Sequence, residues 1–257
     1  ELFSDDETLI LKESQYQRNA DNVFTASATK DSLRFTLPKG ASAGNLLHDI
    51  LEHTDFSKPE WEEVGSELVI RFGLEEPKVP ALYAWLNEVL NTPLRLKSGW
   101  CMCDLHQNQT LREAEFYFPM NESQWALLRE ILVEHRKNVA SRLSANALPV
   151  PNLLTSELEG MMHGFIDLIF EHEGKYYVAD YKSTWLGDTV GHYTPSVLFE
   201  NNQHHLYDLQ YLIYSVALHR YLKNTLPDYT PEQHFGGVYY LYLRLKDGDL
   251  LDERIPF

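Results

Sequence analysis

The chain has 257 residues, is 44% hydrophobic and 23% charged, and carries a formal charge of −16. This length and composition predict a sizeable core in one large domain or two small ones, and exclude a disordered or low-complexity chain. The acidic balance repels a phosphate backbone, so nucleic-acid binding through overall charge alone is excluded.

No apolar run is long enough to span a membrane and no signal-peptide pattern opens the chain, so a cytoplasmic protein with no membrane partner is expected. The sequence starts without an initiator Met and stops at Ile255-Pro256-Phe257, and reads as an excised piece of a longer protein with a truncated C-terminus. Residues 1–30 are polar, with Asp5-Asp6-Glu7, and read as a linker or a partner-wrapping segment; 31–257 form the main domain. Ser32–Leu37 reads as a short strand, ended by Pro38-Lys39-Gly40. Ser42 then caps a predicted helix running to His53, with Leu46, Leu47, Ile50 and Leu51 as its apolar stripe. His48 and Glu52 share a face of that helix. Taken alone, a single helical histidine is more often structural than a ligand, and His53 reads as surface.

Two further helices are predicted over Trp61–Phe72 and Ala81–Leu90, punctuated by Pro77, Pro80 and Pro93. Residues 94–111 form a loop with the only cysteines, Cys101 and Cys103, expected as reduced thiols. Arg112–Phe118 reads as a strand, with Ala114, Phe116 and Phe118 on one face and Glu113, Glu115 and Tyr117 on the other. Glu115 reads equally as a solvent-facing carboxylate or as a further acid at a metal site. Asn121 and Gln124 make a capping-box pattern for a helix to Asn138, with Trp125, Leu128, Ile131 and Leu132 inward.

The stretch from Met162 to Trp185 carries the chemistry. Two strands, His163–Glu171 and Lys175–Lys182, flank a turn at His172-Glu173-Gly174, where Gly174 is free to take a positive φ. Both are apolar enough to lie inside a sheet, yet Asp167 interrupts the first, and Asp180 and Lys182 end the second. Alternation puts Asp180 and Lys182 on one face, and the turn puts Asp167 roughly opposite Asp180. Facing carboxylates repel unless a cation lies between them, and a hard divalent ion such as Mg²⁺ suits oxygen ligands. A buried Asp–Lys ion pair without metal is the plainer alternative. Beyond the hairpin, Gly187–Asn202 reads as a loop over the site, His204–Lys223 as a long helix bringing Gln210 and Tyr214 to one side, and Gly237–Arg244 as a strand. The last residues read as the start of a hairpin. No G-x-x-x-x-G-K-[ST] loop is present, so ATP binding by a P-loop is not expected.

The run D-x12-D-Y-K from Asp167 to Lys182, preceded by Gly164-Phe165-Ile166 and followed by Ser183-Thr184-Trp185, resembles the PD-(D/E)XK nuclease signature. More narrowly, it is similar to the C-terminal nuclease domain of RecB-type subunits of exodeoxyribonuclease V. Pro38-Lys39-Gly40 through Leu51-Glu52, Glu115–Pro119, Tyr207–Gln210 with Tyr214, and His234–Leu241 match that domain in order. The resemblance implies an α/β restriction-endonuclease-like fold, a central mixed sheet flanked by helices. It implies a Mg²⁺-dependent exonuclease and endonuclease, with Mn²⁺ or Ca²⁺ fitting the same site. It gives His48, Asp167, Asp180 and the Tyr181 carbonyl as metal ligands and Lys182 as the group that positions the attacking water. Gln210 and Tyr214 contact DNA or orient Lys182 in this picture. The implied partners are DNA, as single strand or unwound duplex, the RecC and RecD subunits, and the recombinase RecA. The rival expectation is a catalytically silent scaffold that docks a recombinase.

Overall fold

The computed structural model describes residues 32–94, 100–151 and 160–245, and the backbone of 252–253. The expected linker of residues 1–30 and most of the C-terminal hairpin start lie outside the described residues. In chain order the elements are α1 (Leu33–Thr36), α2 (Ala41–His53), α3 (Trp61–Phe72), α4 (Val79–Leu90), β1 (Thr110–Met120), α5 (Glu122–Leu143), β2 (Gly160–His172) and β3 (Lys175–Lys182). They continue with α6 (Pro195–His204), α7 (Tyr207–Thr225), α8 (Pro231–His234), β4 (Phe235–Tyr242) and β5 (Asp252–Glu253). The sheet runs β1-β2-β3-β4-β5; β3 and β4 are parallel and the other neighbours antiparallel, so it is the expected mixed sheet.

Local chemistry explains most of these elements. Glu173 and Gly174 take φ of 52° and 77°, the two left-handed residues of a tight hairpin turn, so β2 and β3 pair from His172↔Lys175 onward. Asn121 and Gln124 close a reciprocal cap on α5: the Gln124 N–H donates to Asn121 Oδ1, and the Asn121 N–H to Gln124 Oε1, both at 3.0 Å. That helix extends to Leu143, past the expected Asn138, and Ile131 is exposed at 43% instead of facing inward.

Several expectations are corrected. Ser32–Leu37 is a helical turn, not a strand, with Arg34 and Phe35 buried beneath it. The cap of α2 is Gly40, at φ 109°, not Ser42. Gly187–Asn202 is not loop throughout: Pro195 opens α6, and its buried Asn201, Asn202 and Gln203 had disguised it as polar loop. Cys101 and Cys103 are disulfide-bonded rather than free, because the turn at Met102–Asp104 brings their Cα atoms to 5.3 Å.

Each face of the sheet is covered. On one, α2 and α4 bury Leu46, Leu47, Ile50, Leu82 and Leu86 against Leu168, Phe170, Ala179 and Tyr181. On the other, α5 and α7 bury Trp125, Leu128, Leu212 and Leu218 against Ala114, Ile166, Val178 and Tyr240. The α7 side is tied down by Arg136, which is 1% exposed and donates to Asp208 Oδ1 at 3.0 Å and to the carbonyls of Leu148, Pro149 and Gln203. A guanidinium so deeply buried is tolerated only with every donor engaged.

The regular pleat inverts at one place. Arg112 lays its guanidinium over Phe56, on the α2 side, and donates to the Leu51 and Glu52 carbonyls, whereas Ala114 is buried on the α7 side. Residues two apart on a strand should share a face. In β2 the same switch separates Ile166, on the α7 side, from Leu168, on the α2 side. Between these pairs lie Glu113, at φ 46°, and Asp167. The β2–β3 ladder also stops here, at Leu168↔Ala179, and β1 and β2 run on as a two-stranded arm to Met120 and Gly160.

Candidate active site

The inversion gathers the polar groups. The Tyr181 N–H, past the end of the β2–β3 ladder, donates to Asp167 Oδ2 at 2.7 Å. From α2, His48 puts Nε2 2.9 Å from the Tyr181 carbonyl and Nδ1 3.4 Å from Asp167 Oδ2. Ligand atoms of His48, Glu113 and Asp167 all lie within 4.8 Å of one another. Asp180, 2% exposed, is ion-paired through Oδ2 with Lys182 Nζ.

Lys182 is held from the α7 side. Its Nζ donates to Gln210 Oε1 at 2.9 Å and lies 3.8 Å above the Tyr207 ring. Gln210 is fixed in turn: the Tyr240 hydroxyl donates to the same Oε1 at 2.9 Å, and Gln210 Nε2 donates to the Tyr214 hydroxyl at 2.7 Å. The amide therefore presents only its acceptor to the lysine.

The electrostatics ask for positive charge. Burial and the Asp167 charge raise Asp180 to about 7, against the pull of Lys182. Burial, then Asp167 and Glu52, raise Glu113. Burial alone would lower His48, but its hydrogen bond to Asp167 and the charges of Asp167 and Asp180 outweigh that and raise it. Three neighbouring groups thus hold protons unusually tightly. The carboxylates of Glu113 and Asp167 and the His48 imidazole, with Asp180 and the Tyr181 carbonyl beside them, could hold a divalent cation, whose binding would displace those protons.

Of the residues singled out from sequence, His48, Asp167, Asp180, Tyr181, Lys182, Gln210 and Tyr214 are brought together. Glu115 is not among them. It is exposed on the arm, accepting from the Tyr117 hydroxyl at 2.5 Å and lying 3.1 Å from His163 Nε2. Glu113 stands beside Asp167 instead. Period-two reading treats both glutamates alike, and no sequence signal marks the left-handed residue that separates them. Arg136 and Asp208, which anchor α7, were also missed; nothing in their spacing links them.

Comparison with known proteins gives the class to which this sheet and site belong, that of DNA-cutting nucleases. The family description "PD-(D/E)XK nuclease superfamily" matches residues 25–254. The chain belongs to that superfamily. It is 40% identical over 207 residues to the RecBCD enzyme subunit RecB of Escherichia coli (strain K12), covering 80% of this chain and 17% of that protein. It is 35% identical over 234 residues to the RecB subunit of Haemophilus influenzae, covering 90% and 18%. For the RecB subunit of Mycobacterium tuberculosis (strain H37Rv) the figures are 32% over 231 residues, 81% and 21%. The chain spans about a fifth of the length of these curated relatives. Among the described residues, no helix is long and apolar enough to cross a membrane.

Proposed function

We propose that this chain is the Mg²⁺-dependent nuclease domain of a RecBCD-type enzyme and hydrolyses DNA phosphodiester bonds. The observation that carries the reading is the Asp180–Lys182 pair, buried at the open end of β3 with Lys182 steered by Gln210. His48, Asp167, Asp180 and the Tyr181 carbonyl hold the ion, with Glu113 as a further oxygen donor. A divalent cation bound there supplies Lewis-acid polarisation of the scissile phosphate and acidifies a water. Lys182, with one N–H on Gln210 and one on Asp180, offers its third to the attacking water or to charge developing on the phosphate, and is pre-set for that by Gln210 and the Tyr207 face. The buried surroundings of Asp180 keep competing solvent away.

On this reading the domain works in the cytoplasm beside RecC and RecD subunits, in an ATP-driven assembly that processes double-strand breaks and helps load the recombinase RecA. Similarity to proteins named as RecBCD subunits supports this. The delivery of DNA by an assembly also accommodates the −16 charge. The test is cleavage of single-stranded and linear duplex DNA with Mg²⁺ against EDTA, for the wild type and Lys182→Ala. Metal-dependent cleavage lost in the variant is expected. Wild-type protein that binds DNA and Mg²⁺ but never cuts would leave the scaffold reading in its place.

A further inference from the structure

The two-stranded arm of β1 and β2 is dressed unequally. Its inner face, with Ala114, Phe118, Met120 and Ile166, is buried under α5 and α7. Its outer face carries large exposed rings: Tyr117 is 58% exposed and Phe165 46%, with Met161 at 63% beyond them. In the ladder Glu115 lies opposite Phe165, Tyr117 opposite His163, and Pro119 opposite Met161. Tyr117 and His163 stack face to face, centroids 4.4 Å apart and planes at 4°, and Phe165 meets His163 edge-on at 5.3 Å.

This row starts at the active site. Phe165 is two residues from Asp167 on the same strand, and Glu115 two from Glu113, so the row begins within about 7 Å of chain from the acids, just past the inversion. The single carboxylate in the row, Glu115, is engaged by the Tyr117 hydroxyl and His163. Aromatic rings exposed singly need no explanation, but a stacked, contiguous set leading out of an active site does.

We propose that the outer face of the arm is a stacking platform for single-stranded DNA, with Phe165 and the Tyr117–His163 pair receiving successive bases of the strand whose backbone is cut at the site. Stacking draws affinity from base faces and not from phosphates, which suits a chain with a surplus of acidic side chains. It also selects unpaired strands, because bases inside a duplex have no free face to offer. The inference rests on the nuclease reading for the identity of its occupant; the platform itself is tested without cleavage.

The probe is a fluorescein-labelled oligothymidylate compared with an abasic strand of the same length, titrated by anisotropy against the 257-residue chain in EDTA. Wild type should prefer the thymidylate strand by about tenfold or more, on the scale of one to two stacked bases. The Tyr117→Ala/Phe165→Ala variant should lose that preference while binding the abasic strand as before, and Tyr117→Phe should keep it. The wild-type comparison stands even if the double variant misfolds. Equal wild-type affinity for the two strands overturns the platform. So does a folded double variant with undiminished preference, or one whose only change is loss of self-association, which would make the arm a protein contact. Mg²⁺-dependent cleavage is scored separately: retained cleavage with no base preference sinks the platform alone, whereas base preference without cleavage sinks the nuclease reading alone.

Discussion

Asp180→Asn is expected to stabilise the metal-free protein at neutral pH while abolishing cleavage. Asp180 is 2% exposed and neighbours Asp167, and burial together with that charge outweighs the pull of its ion-pair partner Lys182. Its folded pKa is raised from 3.8 to about 7. The sign follows from proton uptake: between these values the folded chain keeps a proton that the unfolded chain has released, so stability falls as pH climbs from about 4 to about 7 and is level above. Roughly three units at about 1.4 kcal/mol each give an upper bound of about 4 kcal/mol. Asparagine resembles the protonated acid in shape and charge, so the variant escapes this loss. Urea unfolding in EDTA should show wild type and variant alike near pH 4, and the variant ahead by about 1–4 kcal/mol at pH 8. Mg²⁺ should raise wild-type stability at pH 8 and leave the variant almost unmoved, since a ligand that binds only the folded state stabilises it by mass action. A wild-type stability that stays flat from pH 4 to 8, or a variant less stable than wild type at pH 8 in EDTA, would refute the reasoning.

His48→Ala should weaken Mn²⁺ affinity by about tenfold or more in calorimetric titration, with the melting temperature little changed, because the ring nitrogens face the Tyr181 carbonyl and Asp167 and the ring meets the core only edge-on at Tyr181, centroids 5.6 Å apart. Glu113→Gln should weaken Mn²⁺ affinity in the same titration while Glu115→Gln leaves it unchanged; the reverse ranking would return the site to a regular pleat. The chain on its own should cut single-stranded DNA faster than blunt duplex at matched salt, given its −16 charge and the small counterion release that follows. Tight duplex binding at physiological salt would show that its surface has been misread.

Much of the hairpin was legible because its signals are local. The turn residues, the apolar runs and the position of Asp180 and Lys182 all follow from neighbours within a few residues, and β3 falls where expected. The capping box of α5 is equally local. What sequence hid was non-local or irregular. The left-handed Glu113 inverts β1, and a period-two reading carries straight through it to Glu115. Asn201 and Asn202 of α6 resemble a loop because their partner, the Tyr242 hydroxyl, is about forty residues away, and Gln203 because it is bonded to the Asn146 carbonyl and the Leu148 N–H, far back in the chain. The identity of Arg136 as the anchor of α7 depends on Asp208, a residue distant in sequence, and on three backbone carbonyls. His48 is the intermediate case: its helix face was legible, but its use became readable only through the family pattern.

The inversion also explains how one site draws on both faces of a sheet. His48 comes from α2, and Gln210 from α7, on opposite sides. In an unbroken pleat, groups on the two faces are kept apart by the backbone, whose N–H and C=O groups are spent on the ladder. Here the β2–β3 ladder stops after Leu168↔Ala179, and the freed groups of Tyr181 take up the slack. Its N–H is capped by Asp167 and its carbonyl faces His48. The same residue thus orients one acid, turns a backbone oxygen toward the imidazole, and leaves Asp180 and Lys182, either side of it, pointing to α7. The opening between β3 and the arm is therefore a consequence of ending the ladder at the acids. It is also where a strand lying along Tyr117, His163 and Phe165 meets Asp167.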